Sequence, residues 1–250
     1  KTAYEIRNCD WSSDVCSSDL GGYAVPSGAL QGASTVPAGG LVSFSGDADY
    51  ARTALLLHMD GANNGTAFID SSPYGTSSNR VTRTGTPVTT TAQFKFGSAS
   101  AVLNGTTDYL SVDNSPEFYL GDYDFTIESW VRLTSLATNS PLFSIYTANP
   151  TFDGFAVYVY HSNSSGCARA VAGNGTTTVV AEATYSPSLN TWFHFAFERV
   201  GTTGTFYIDG VALGTTLDFS TVTTLGGNSA GLVIGQLNVV TAGAYFSGYI

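Results

Sequence analysis

The residues best able to do chemistry in this chain are few and scattered. The three histidines, His58, His161 and His194, lie far apart, and no two have metal-binding spacing. His58 and His194 each sit inside an apolar run, where a satisfied, half-buried imidazole is the expected role. Glu128 has Thr126 and Trp130 two positions either side, so its own strand gives it no second carboxylate. No Gly-x-Ser-x-Gly elbow, phosphate loop or dinucleotide fingerprint is present. No paired-carboxylate or other catalytic motif is found, so the chain is expected not to be an enzyme. Asp60, in Asp60-Gly-Ala-Asn-Asn-Gly65, and Asp70, in Asp70-Ser-Ser72, offer the loop oxygens that calcium prefers. Asx turns, which need no ion, are the competing role for both. Tyr146, Tyr158, Tyr160, His161 and Asn163 combine aromatic rings with an Asn/Ser-rich loop, as sugar stacking and hydroxyl recognition require. Tyr158 and Tyr160 are expected on one strand face, opposite Val157 and Val159, with packing at a sheet edge as the competing role. Trp130 and Trp192 are expected to pack in the core or at its rim rather than to carry a ligand.

The elements that must position these residues read as strands. From Thr53 onward, short apolar or alternating runs are separated by Gly, Asn, Asp, Pro and Ser clusters, the signature of an all-β sandwich. Phe125–Leu133 alternates: Phe125, Ile127, Ser129, Val131 and Leu133 share one face, and Thr126, Glu128, Trp130 and Arg132 the other. In Trp192–Arg199, Phe193, Phe195 and Phe197 stand opposite Trp192, His194 and Ala196. Other expected strands include Ala54–Met59, Thr66–Ile69, Phe155–Tyr160 and Cys167–Val171. Asp209-Gly210 between Tyr207-Ile208 and Val211-Ala212 is a strong hairpin signal. No segment keeps a helical period over three turns.

Composition bounds the function. The chain has 250 residues and a net charge of −10, which suits one sandwich or two small domains. Charged residues make up 11%, against roughly 25% in an average globular protein. That neutral-polar surface is common in secreted and virion proteins. The acidic balance, with no basic run, argues against nucleic acid. No apolar stretch reaches the ~20 residues of a membrane-spanning helix, so membrane insertion is not expected.

Residues 1–20 carry a different signal. Lys1–Ile6 and Asp10–Leu20 resemble in-frame translations of two stretches of a common sequencing adapter. They are read as an artefact joined to a sequence assembled from metagenomic DNA. Cys9 and Cys16 then carry no redox information, and Cys167 is expected as a small buried hydrophobe. Residues 21–50, rich in Gly, Ala, Ser and Pro, read as a linker without regular structure.

Three blocks in order carry a family resemblance. They are Leu55-Leu-Leu-His-Met-Asp-Gly61 with Phe68-Ile-Asp-Ser-Ser72; Phe96–Gly105 with Asp108–Val112 and Asp124–Val131; and Trp192–Arg199 with Phe206-Tyr-Ile-Asp-Gly210. Residues 51–250 resemble the laminin-G-like jelly-roll domains of the concanavalin A-like lectin/glucanase superfamily. The resemblance implies two antiparallel sheets, one concave, and a last strand beyond Ile250 that this sequence lacks. It implies a structural calcium near Asp60 and Asp70. A retaining glycosidase of the superfamily would need two close carboxylates, typically Glu-x-Asp-x-x-Glu, and that string is absent. The expectation is a non-catalytic carbohydrate-binding or adhesion module, extracellular or on a virion, within a larger phage or bacterial surface protein. Its partners would be a glycan or cell-surface polysaccharide and other domains of the same protein. A structural spacer and a divergent glycoside hydrolase stay open as alternatives; the latter needs a second acid beside Glu128 in the folded cleft.

Overall fold

The computed structural model describes residues 2–6, 50–74, 80–137, 139–148, 152–162, 166–226, 230–237 and 244–250. In chain order the strands are β1 (Thr2–Ile6), β2 (Thr53–Leu56), β3 (Val81–Thr84), β4 (Val88–Thr90), β5 (Ser100–Asn104), β6 (Tyr109–Val112), β7 (Phe125–Leu133) and β8 (Ser140–Ala148). They continue as β9 (Phe152–His161), β10 (Cys167–Asn174), β11 (Thr178–Thr184), β12 (Phe193–Val200), β13 (Thr203–Ile208), β14 (Val211–Asp218), β15 (Leu232–Ile234) and β16 (Ser247–Tyr249). One sheet runs β14-β13-β12-β7-β16-β5-β4, with β1 and β2 attached beside β7. The other runs β11-β10-β9-β8-β15-β6-β3. The expected pair of antiparallel sheets is what the chain forms. Among the described residues, no helix is long and apolar enough to cross a membrane.

The core lies between the sheets and is built by period-2 alternation. Along β7, every residue from Phe125 to Leu133 alternates between buried and half-buried. The buried rows of β7 and β12 meet the other sheet through aromatic contacts: Phe125 to Phe155 at 5.2 Å and Phe197 to Phe155 at 5.1 Å between ring centroids. Each such ring contributes about 1.5–3 kcal/mol by leaving water. Alternation also dictates what remains outside, because a residue between two buried ones must face away from the core. On β7 and β12 that outer row is the one with chemistry in it.

One expected strand is absent. Thr66–Ile69 forms no strand; its neighbours Gly65 and Asp70 each make a single bridge, to Thr89 and Leu57. The short strand β4, Val-Thr-Thr, carries too little pattern to stand out and is fixed by pairing with β5. Thr2–Ile6 runs parallel to β7, from Thr2 opposite Phe125 to Ile6 opposite Ser129. β16 covers only Arg132 and Leu133 of that edge, which leaves backbone groups there open to another strand. Lys1 and residues 7–49, with Cys9, Cys16, Trp11 and the expected linker, lie outside the described residues.

One glycine is indispensable to the second sheet. Gly154 on β9 has φ of +135°, and a Cβ there would overlap the Ile145 carbonyl oxygen and Tyr146 Cα. Gly154→Ala is expected to destabilise the fold by about 1–3 kcal/mol. Thermal unfolding checks this; an unchanged midpoint would refute it.

Candidate functional site

The outward rows of β7, β12 and β13 form a groove of about 450 Å³. Its lining is Thr126, Glu128 and Trp130 from β7, His194, Ala196 and Glu198 from β12, and Tyr207 with the turn Asp209-Gly210. The register explains the shape. Ala196 lies between Glu128 on one neighbouring strand and Tyr207 on the other. Its single methyl leaves a depression that the longer side chains wall.

One end of the groove is aromatic. Trp130 lies opposite His194, with ring centroids 5.5 Å apart. Phe96 meets Trp130 edge-on at 5.5 Å, and Lys95 Nζ sits 4.2 Å from the Trp130 ring centre. This cation–π contact and the packed rings fix the indole. His194 Nε2 is 3.7 Å from Glu128 Oε2. On the other side, Tyr207 donates its hydroxyl to Glu198 Oε2 at 3.4 Å. The Asp209-Gly210 turn has positive φ at both residues, as a type I′ hairpin turn requires. Asp209 Oδ1 accepts from His194 N at 2.8 Å, so the turn also fixes the backbone at the aromatic end.

Glu128 is therefore not the groove's one acid. Glu198 lies opposite Thr126 while Glu128 lies opposite Ala196, so the two glutamates are diagonal neighbours on one face. Sequence reading did not single out Glu198 or Tyr207, and it did not place Trp130 in the lining of a groove. The Phe193-x-Phe195-x-Phe197 alternation puts Glu198 on the outer row with His194 and Ala196. What the sequence lacked was the pairing of β12 with β7, strands that are distant along the chain.

The tyrosines expected to carry a ligand lie on the other sheet. Tyr146 and Tyr158 are 3% and 6% exposed and pack together with Ala156 and Val171. Tyr146 stacks on Phe152 at 4.1 Å, and burial pushes its hydroxyl up to about 12. Burial likewise raises the Tyr158 hydroxyl. Neither ring offers an open face to a sugar. Tyr158 and Tyr160 also do not share a face as expected. The pairing of β9 with β10 shifts between Tyr158 and His161, so a bulge at Val159–Tyr160 puts Tyr160 against the main core. His161 is half-buried, edge-on to Tyr158 at 5.3 Å, and Asn163 lies outside the described residues.

Asp60 and Asp70 do not fit a calcium pair. Asp60 is exposed, whereas Asp70 is 6% exposed and engaged with the protein. Asp70 Oδ1 accepts from Leu56 N at 3.0 Å and Ser72 N at 2.9 Å, and Oδ2 is 3.3 Å from Arg80 Nη1. A cation on that carboxylate would have to displace Arg80. Among the described residues, the one group of three candidate metal ligands is His161, Cys167 and Glu182.

Comparison with known proteins gives the family. No curated protein sequence matches the chain significantly. Among solved structures, domain 4 of AbnA, an extracellular arabinanase from Geobacillus stearothermophilus in complex with arabinotriose, is similar with a TM-score of 0.52 and 17% identity. That likeness covers 74% of this chain and 84% of the other. Domains LG4-5 of the mouse laminin alpha1 chain match with a TM-score of 0.40 and 16% identity, over 60% of this chain and 38% of that one. The enzymatically active domain of bacteriophage CBA120 tailspike protein 2 matches at 0.49 and 12%, over 80% and 29%. At 17% identity the likeness to the arabinanase domain is one of fold. A profile of the concanavalin A-like lectin/glucanases superfamily matches residues 104–250, well over half of the sequence, and the chain belongs to that superfamily.

Proposed function

We propose that the chain is a non-catalytic recognition module for a neutral glycan, bound in the groove over β7, β12 and β13. The observation that carries this reading is the groove's composition. Two glutamates and a tyrosine hydroxyl flank a one-methyl floor, beside a fixed indole. Carboxylates accept hydrogen bonds from sugar hydroxyls, and aromatic walls cover the apolar faces of a pyranose or furanose ring. Glu128, Glu198 and Asp209 together repel uronates and other anionic sugars, which favours neutral ones. Arabinotriose, which the similar arabinanase domain holds, is a neutral probe of suitable size. A module of this kind would serve a larger extracellular or virion protein, as the notably uncharged surface suits.

The test is a neutral-oligosaccharide array followed by titration with the best binder, arabinotriose included. Ala196→Trp fills the depression from the solvent side and is expected to abolish binding while leaving the unfolding midpoint in place. Glu128→Gln is expected to weaken binding about 10- to 100-fold, the loss of one hydrogen bond to a charged group. Binding unchanged in both variants would remove the groove from the function; a folded protein that binds nothing on the array would favour the spacer reading.

A second reading rests on the Glu128/Glu198 diagonal, which supplies the second acid that a glycoside hydrolase needs. Oligosaccharide cleavage that Glu198→Gln abolishes, with binding retained, would establish it.

A further inference from the structure

A separate constellation lies on the outer face of the other sheet. His161 on β9, Cys167 on β10 and Glu182 on β11 bring a ring nitrogen, a sulfur and a carboxylate oxygen within 4.8 Å of one another. Three adjacent strands each contribute one donor. Cys167 lies directly opposite His161, and Glu182 lies opposite Arg169, two positions along β10 from Cys167. Cys167 and Arg169 share a face because Ala168 between them is in the core.

The bulge at Val159–Tyr160 makes this possible. Val157 and Val159 point into the core, and strict alternation would send His161 inward after them. One extra residue in β9 turns His161 outward instead, towards Cys167. Bulges commonly re-aim a side chain at a site in this way.

Arg169 stands at the centre of the cluster. Its Nη1 is 3.2 Å from His161 Nε2 and 2.9 Å from Glu182 Oε1. A positive group thus already occupies the point where two of the donors converge. It is an imperfect occupant. Arg169 Nε is buried without a hydrogen-bond partner, as is His161 Nδ1, among the described residues. The Arg169 side chain is 25% exposed and has a path to solvent. We propose that His161, Cys167 and Glu182 bind a divalent ion of the zinc class, and that Arg169 holds the cation position until the ion displaces it. An imidazole, a thiolate and a carboxylate, with water as fourth ligand, make a tetrahedral set that suits a borderline-soft ion and not calcium. On binding, the thiol proton of Cys167 leaves to solvent as the metal–sulfur bond forms, and the guanidinium swings out.

Cobalt(II) is the probe, because only a cobalt–thiolate bond gives the near-ultraviolet charge-transfer band. The experiment uses the full chain with Cys9→Ser and Cys16→Ser, which leaves Cys167 as its one thiol. One equivalent of cobalt is expected to produce the band, zinc to bleach it, and Cys167→Ser to remove it without lowering the metal-free unfolding midpoint. Arg169→Ala is expected to tighten binding by roughly tenfold or more, the effect of removing a competing cation. No band in the parent protein overturns the proposal. So does a band confined to Arg169→Ala, which would make Arg169 the permanent occupant, or one that persists in Cys167→Ser.

Discussion

Replacing Arg199 by methionine is expected to lower the unfolding free energy by about 3–5 kcal/mol, the loss of several hydrogen bonds made by one charged group at about 1.5–3 kcal/mol each. Arg199 continues the inward row of β12 after Phe193, Phe195 and Phe197, and is 2% exposed. A guanidinium is tolerated there because its donors are used. Nε donates to Gly201 O at 2.9 Å, Nη1 to Gly121 O at 3.1 Å and Nη2 to Thr223 O at 2.6 Å. Its planar face lies 4.4 Å from the Phe219 ring centre. Burial pulls its pKa below the usual value, and the charges of Asp124 and Asp122 oppose that pull. Methionine fills much of the same volume, so cavity formation is a minor part of the loss. The larger part is the lost hydrogen bonds: the buried Gly121 carbonyl is left without its donor, at about 1–3 kcal/mol, and the part-buried Gly201 and Thr223 carbonyls lose theirs at a smaller cost. These carbonyls belong to three loops, so Arg199 ties the loops at one end of the groove-bearing sheet. Urea unfolding is the measurement, with a lower midpoint at an unchanged slope. A loss under about 1 kcal/mol would mean that water replaces the guanidinium. Lysine in its place is expected to recover only part of the loss, since one ammonium cannot span three divergent carbonyls.

How much of this was legible depends on the range of the interaction. Phe125–Leu133 was readable to the residue because burial on one face alone writes the period. The Asp209-Gly210 turn was readable because its backbone angles demand those residue types. The groove was not, although every residue in it lies in a strand or turn that was. Glu128 and Glu198 meet through β-pairing between distant segments, and no local pattern encodes which strands become neighbours. The placement of the tyrosines was not legible for a related reason. Alternation places Tyr158 and Tyr160 together, but a bulge is fixed by the partner strand's register and breaks the alternation silently. Arg199 shows the opposite limit: a charge on an apolar row looks like an end of the strand until the loops that satisfy it are in place.

Asp70→Ala is expected to cost a further about 3–5 kcal/mol, and to do so equally in calcium and in chelator. The carboxylate joins two distant segments. It caps the backbone at Leu56 and Ser72, and its other oxygen pairs with Arg80. Arg80 in turn reaches Glu117 Oε1 at 2.6 Å and Tyr74 O at 3.0 Å, and lies 4.4 Å from the centre of the Phe118 ring. Alanine removes an acceptor from two amides and one of two anions from an arginine that is 7% exposed. Asparagine separates the two effects. It can keep the Oδ1 acceptor and loses only the charge, so it is expected to cost about half as much. Melting both variants with millimolar calcium and with chelator distinguishes an ion pair from an ion site. A wild-type midpoint that rises with calcium, and a rise that Asp70→Asn abolishes, would make Asp70 a metal ligand. Coincident curves would leave Arg80, with its guanidinium enclosed, as the cation that this carboxylate was folded to hold.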